Sequence, residues 1–222
     1  MTRIVEPFIR DLRQQVLKMG RMAEAIVAKS MASVFDHNAS LASEVPKDDL
    51  EIDRADVIID EMVLRALALQ APVADDLRQV ISIKMMATDL ERVGDLARNI
   101  AKCAVRLIEK EDVVFPSKLE DLSVQSQRLL QRSLDSFSES DSDRAEMILA
   151  EDDLIDADQD IVVAETVKTL MKHPEISSQG VDIILIAKHL ERIADHATNI
   201  AEEVIYWTDG RNVKHQDKLN SD

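Results

Sequence analysis

The stretch from Asp89 to Ala104, DLERVGDLARNIAKCA, returns one hundred residues later as HLERIADHATNIAEEV from His189 to Val204. Laid on each other, the two share Leu, Glu, Arg, Asp, Ala, Asn, Ile and Ala in order. An echo at so long a period is the mark of duplication, and it requires two halves built on one architecture. Within each copy the polar identities fall four apart: Glu91, Asp95 and Asn99, then Glu191, Asp195 and Asn199. Residues four apart stack along one face of a helix, so each trio forms a stripe. Met86, Leu90, Val93, Ala97, Ile100, Ala101 and Ala104 fall on an arc nearly opposite, which is the face to be buried, with the carboxylates pointing away from it.

Only 4 Gly and 5 Pro occur in 222 residues, and aromatics make up 3% of them. With Leu, Ile, Val, Ala, Met, Glu, Asp and Arg dominant, this is the composition of long packed helices rather than of strands. The fold class is all-α: six long antiparallel helices in two tandem, related lobes. The first lobe covers residues 1–112, the second 113–208, and 209–222 form a polar, frayed tail.

The helices follow from apolar spacing and punctuation. Phe8, Leu12, Val16, Met19, Ala23, Ile26, Val27 and Val34 mark a first helix from Pro7 to about Phe35. Asn38 caps a second that runs to about Gln70, kinked or begun in its main part at Pro46. Asp75 or Asp76 caps the third, which reaches about Lys110, and Asp112 to Pro116 join the lobes. A fourth helix spans Ser117 to Phe137. A turn over Ser138 to Asp143 starts a fifth that ends near Lys172. Ser177 or Ser178 caps a sixth that ends near Trp207.

The formal charge is −16, carried unevenly: 16 Lys and Arg face 20 Asp and Glu through Asp112, and 11 face 23 beyond it. Such a surface repels phosphate backbones, which argues against nucleic acid as a direct partner. The amino-terminal stretch lacks an apolar signal-peptide region, and no run approaches the length of a membrane span, so the chain reads as cytoplasmic. Cys103 has no second cysteine to bond and reads as a small, partly buried packing residue.

The chemistry sits in the acidic stripes. On the second helix Asp49, Asp53, Asp56 and Asp60 lie at offsets of four, seven and eleven. Like charges at that spacing cost about 0.2–0.5 kcal/mol per pair, so something positive offsets them. Taken alone, the stripe is most simply a solvated face partly compensated by Arg54 and Arg65. The fifth helix opens in the same way: Ile155–Asp156 aligns with Ile52–Asp53, which sets Asp152 opposite Asp49 at an offset of 103.

Consecutive antiparallel helices therefore oppose Asp49 and Asp53 to Glu91 and Asp95, and Asp152 and Asp156 to Glu191 and Asp195. Opposed carboxylates make a hard-oxygen site for a metal cation, to which Asn99 and Asn199 add neutral oxygens. His189 and His196, whose counterparts are Asp89 and Leu96, read as surface residues. A di-iron enzyme is the catalytic alternative for an acid-rich bundle, as is a metal-storage protein. The di-iron class needs Glu-x-x-His facing the core, and no His here has Glu three positions before it. The sequence has no nucleophile elbow, phosphate loop or CxxC either, so catalysis is disfavoured.

LERVGDLARNIA and LERIADHATNIAEEV, with APVADDLR before the first, resemble the PhoU family of phosphate-transport regulatory proteins, over nearly the whole chain from the first helix to Trp207. The resemblance implies two three-helix bundles with pseudo-twofold similarity. It implies a cytoplasmic homodimer, peripheral to the inner membrane, that represses phosphate uptake and phosphate-starvation signalling. Its partners would be the ATPase subunit of the phosphate ABC transporter and a membrane sensor histidine kinase. It further implies metal ions (iron, manganese, magnesium or zinc) on the outer surface of each bundle, at Asp49, Asp53, Glu91, Asp95, Asp152, Asp156, Glu191 and Asp195. The copies differ at Gly94, which is Ala194 in the second, and at Leu96, which is His196.

Overall fold

A computed structural model describes residues 6–110 and 113–214. Helices α1 (Glu6–Phe35), α2 (Ala39–Gln70) and α3 (Asp75–Ile108) form the first lobe. The second is built from α4 (Leu119–Glu139), α5 (Ser142–Leu149), α6 (Asp152–Lys172) and α7 (Ser177–Asp209), with a 3₁₀ turn at Pro174–Ile176. Among the described residues there is no strand, and no helix is long and apolar enough to cross a membrane. The apolar arcs go where their spacing directs them: Leu12, Val16, Met19, Ile26, Ile52, Ile59, Met86, Leu90 and Ile100 are all buried. Leu122, Leu130, Ile155, Ile186, Leu190 and Ile200 do the same in the second lobe.

The helix ends follow local chemistry with three departures. Asn38 does cap α2, accepting from the amides of Ser40 and Leu41 at 3.1 and 3.2 Å, and Pro46 is carried inside that helix, within its first turns. Neither Asp75 nor Asp76 is the cap of α3. That position is Ala74, held at φ 47°, and the two acids instead occupy the first turn, where the helix dipole favours them. Ile176 rather than a serine precedes α7, because Ser177 turns its hydroxyl back to the Pro174 carbonyl. The fifth helix of the sequence reading is two segments. Glu151 bonds back three residues to Ile148 at 3.1 Å, which tightens the chain at Ala150–Glu151 and makes Asp152 the first residue of a new helix. Asp112 lies outside the described residues.

The lobes meet along α3 and α7, which run antiparallel. Arg106, near the end of α3, donates through Nε to Asp182 at 2.9 Å near the start of α7. At the other end Asp89 of α3 accepts from Asn199 of α7 at 3.1 Å. Both helices carry buried small residues, Ala97, Ala101 and Ala104 on one and Ala194, Ala197 and Ala201 on the other, which suits a close approach of backbones.

A second tie joins α1 to the end of α4. Arg13 donates to the carbonyls of Phe137 and Ser138 at 3.0 and 2.8 Å and to the Ser140 hydroxyl at 3.0 Å, satisfying groups that a helix C-terminus leaves open. Its guanidinium also lies 5.5 Å from the Phe137 ring and 5.7 Å from the Trp207 ring. The tail is not frayed where it is described: Arg211 pairs with Glu146, and Lys214 pairs with the buried Glu203. Residues 215–222 lie outside the described residues.

Candidate functional site

Each lobe brings its two acidic segments together along the groove between neighbouring helices, α2 with α3 and α6 with α7. In the first groove Glu91 feels Asp53, Asp56 and Asp95, and Asp49 feels Asp53 and Asp95. Burial, reinforced by these neighbours, pushes the Glu91 carboxyl above the usual range. Asp49 is raised by burial even though Arg98 pulls the other way. The second groove repeats the pattern: burial first, then neighbouring carboxylates, raises Glu191, Asp195 and Asp152, the last to about 6. All eight predicted Asp and Glu residues are thus gathered in two sets of four.

The carboxylates do not all point away from the core. Asp49 is only 1% exposed, and its Oδ1 is buried without a hydrogen-bond partner. Gly94 makes this depth possible, since a Cβ there would lie 3.0 Å from Asp49 Oδ1 and 3.2 Å from Ile52 Cδ1. The counterpart of Gly94 is Ala194, and Asp152 sits less deeply than Asp49, although its own Oδ1 is also buried and unpartnered.

The two asparagines do not join the sets. Asn99 Oδ1 accepts from Lys102 at 3.2 Å, and the Asn199 amide donates to Asp89. Neither histidine is a surface residue. His196 is part-buried with Nδ1 2.8 Å from Asp89 Oδ1, and His189 has a buried, unpartnered Nδ1, its burial and nearby Arg192 lowering its pKa. Cys103 is fully buried, and burial followed by the charge of Asp182 pushes its thiol up to about 11.

Compensation in the first groove comes across it from α3, not from Arg54 or Arg65. Arg98 bridges Asp49 and Asp95, and Lys84 bridges Asp56 and Asp60, at 3.1 Å to the former. Arg54 pairs with Glu51 on its own helix. Sequence reasoning missed Arg98 and Lys84, although aligning the repeats exposes them: Arg98 is matched by Thr198 and Lys84 by Ile184.

The second groove has the hard-oxygen donors of a metal site without their convergence. Four carboxylates stand together there, one has an orphaned buried oxygen, and among the described residues none of the four is in ion-pairing contact with Lys or Arg. The carboxylates form an open row, since among the described residues no group of three or more His, Cys, Asp or Glu converges tightly enough to hold an ion. The first groove already contains a guanidinium between two of its acids.

Comparison with known proteins agrees with the duplicated design. A model for the PhoU domain matches residues 16–104 and again residues 119–204. A relative from Pseudomonas aeruginosa, named as a phosphate-specific transport system accessory protein PhoU homolog, is 36% identical over 93% of this chain and 86% of its own. The Escherichia coli protein named phosphate-specific transport system accessory protein PhoU is 28% identical over the same shares. The crystal structure of the Pseudomonas aeruginosa PhoU superposes with a TM-score of 0.90 at 34% identity, covering 93% of this chain and 99% of that one. That of a phosphate transport system regulatory protein PhoU from Streptococcus pneumoniae gives 0.88 at 30%, covering 95% and 99%. Both repeats, both grooves and the seam between them therefore lie within the matched region, and the chain belongs to the PhoU family.

Proposed function

We propose that the protein is the regulatory accessory of a phosphate ABC transporter, restraining phosphate uptake and phosphate-starvation signalling when phosphate is plentiful. What supports this reading above all is the match over both repeats to relatives named as accessory or regulatory proteins of phosphate transport, names that describe no enzyme. The action is through protein contacts. Its partners are the transporter's ATPase subunit and the membrane sensor histidine kinase of the phosphate two-component system, reached at the cytoplasmic face of the inner membrane, and the chain itself is a homodimer. Exposed apolar side chains at matching places of the two lobes, Ile58 and Leu64 on α2 and Ile161 and Val167 on α6, are consistent with surfaces that other proteins cover.

The carboxylate rows hold metal cations of the iron, manganese, magnesium or zinc type. Asp49, Asp53, Glu91 and Asp95 would hold one, and Asp152, Asp156, Glu191 and Asp195 the other. A bound cation supplies neutralisation of the crowded acids and so ties one helix of each pair to its neighbour. The test of the regulatory role is genetic. Deleting the gene in phosphate-replete cells should switch on phosphate-starvation genes, and unchanged repression in the deletion would refute the role.

A further inference from the structure

We infer that the pocket between the strap joining the lobes and the turn from α6 to α7 docks a segment of a partner protein, one that presents a large apolar side chain flanked by carboxylates. The inference rests on the proposed action through protein contacts and gives that action a place on the second lobe.

The duplication shows that this pocket is no default of the fold. The repeat match begins at residue 16 in the first copy and at 119 in the second, but α1 starts ahead of that point, at Glu6, whereas α4 starts at Leu119 itself. In place of those extra helical turns the second lobe has a non-helical strap over residues 113–116. Contacts hold it at both ends: the Phe115 ring lies edge-on to that of Phe35 with centroids 5.6 Å apart, and the Ser117 amide donates to Glu165 at 3.1 Å. The second departure is Gly180, whose counterpart on α3 is the buried Val80. Leu170 uses the space this leaves, since a Cβ at 180 would lie 2.6 Å from one of its methyl carbons. Strap, α6 and α7 thus enclose a pocket of about 640 Å³ lined by Phe115, Leu170, Ile176 and Ile183.

The rim of the pocket is positive in a chain whose net charge is −16. Lys168 and Lys172 stand on it, both exposed and, among the described residues, neither in an ion pair. The two acids nearby are engaged: Glu165 accepts from Ser117, and Glu175 lies 3.1 Å from His173. An apolar interior edged by unpaired cations complements an apolar side chain set between carboxylates. The occupant is a protein segment rather than a small amphiphile. Val114 on the strap and Met171, between the lining residues Leu170 and Lys172, are each 80% exposed, and a ligand confined to the pocket would leave both in water. A membrane fits less well, because lipid offers no protruding side chain and anionic headgroups repel so acidic a chain.

The experiment is a calorimetric titration of the full chain with the purified ATPase subunit of the phosphate transporter and, separately, with the purified cytoplasmic part of the sensor histidine kinase. Lys168→Glu combined with Lys172→Glu should weaken binding of at least one of them by roughly tenfold or more. Gly180→Val, which copies Val80 and drives Leu170 into the pocket, should weaken the same binding. Lys18→Glu combined with Lys47→Glu makes the same change of net charge at exposed positions elsewhere and should leave it unaltered. Far-UV circular dichroism checks folding, and the pair at 168 and 172 decides the matter if Gly180→Val does not fold. Unchanged binding of both proteins by that pair, or an equal loss from the pair at 18 and 47, would overturn the inference and leave action through protein contacts standing. Wild-type binding to vesicles of phosphatidylcholine and phosphatidylglycerol that is lost with Lys168 and Lys172 would overturn it in favour of a membrane. Failure of the wild type to bind either protein would overturn the proposed contacts and the inference with them.

Discussion

Asp89 on α3 and His196 on α7 meet across the seam between the lobes with Oδ1 and Nδ1 2.8 Å apart, and Asn199 donates to the same oxygen at 3.1 Å. The second copy's histidine is thus used by the first copy's aspartate, a relation that only one of the two possible pairings retains, because His189 and Leu96 stand at the reciprocal positions. Asp89→Ala strands two donors in a part-buried place and should cost about 1–2 kcal/mol of stability. His196→Leu, which copies Leu96, should cost less in the Asp89→Ala background than alone, with a coupling of about 1 kcal/mol. Urea unfolding of the two single variants and the double variant measures this, and strict additivity would show that the contact carries no energy.

Gly94 is kept small by Asp49. Alanine would ordinarily gain about 1 kcal/mol over glycine inside a helix. Here its Cβ would press on Asp49 Oδ1 and on the buried Ile52, both held on their far sides. Gly94→Ala should therefore destabilise by about 1 kcal/mol, and the loss should shrink or reverse when Asp49 is also replaced by Ala. A stabilised single variant would show that Asp49 is free to retreat.

The raised carboxyls of the second groove fix the sign of the pH dependence. Asp152 titrates near 6 in the folded chain and near the ordinary ~3.9 when unfolded. Between those values the folded state binds the extra proton, so metal-free stability should fall as pH rises from about 4 to about 6 and stay low above that. Raised Glu191 and Asp195 act in the same direction. Asp152→Asn should flatten this slope and raise the metal-free melting temperature at pH 7. Thermal scans in chelator at several pH values test it, and a lower melting temperature for the variant at pH 7 would contradict the assignment.

Cys103 should be chemically quiet. Burial and Asp182 hold its thiol near 11, so at pH 8 only roughly one molecule in a thousand carries the thiolate that reacts. Thiol-specific reagents should label the native chain slowly and the urea-unfolded chain at once. Rapid native labelling would mean that α3 opens readily at the seam.

Arg13 offers a fifth measurement. It donates to three acceptors at the end of α4 and lies against the rings of Phe137 and Trp207. Arg13→Ala should cost about 2 kcal/mol and shift the emission of Trp207, the protein's one tryptophan, and Lys should recover only part because it lacks the flat guanidinium that lies against the two rings. Wild-type emission and stability in Arg13→Ala would remove the tie between α1 and the second lobe.

The repeat, the helices other than the divided fifth, and which carboxylates share a groove were legible in the sequence, because apolar spacing and fourfold polar spacing are properties of a single helix. What was not legible depends on neighbours. A stripe of residues four apart advances about 40° around the helix at each step. Over two steps it winds from the groove toward the seam, which is why Asn199 ends beside Asp89 and not beside Asp195's partners. The depth of Asp49 required knowing that Gly94 faces it. Counter-charges were sought within the acidic helix, at Arg54 and Arg65, while Lys84 and Arg98 reach over from the next one. The break before Asp152 has no proline or glycine to announce it: Ala150 and Glu151 are ordinary helix formers in the wrong hydrogen-bond register.

The seam of α3 and α7 joins two repeats that share one chain, and this has a genetic as well as a mechanical meaning. Had the same assembly been made from two separate copies of a single repeat, its symmetry would have forced every residue to appear in both grooves, and each change would have been made twice. Covalent fusion lifts that obligation. Arginine can stand at 98 while threonine stands at 198, and histidine at 196 can serve an aspartate that has no twin, so that one half is free to specialise while the other keeps it folded.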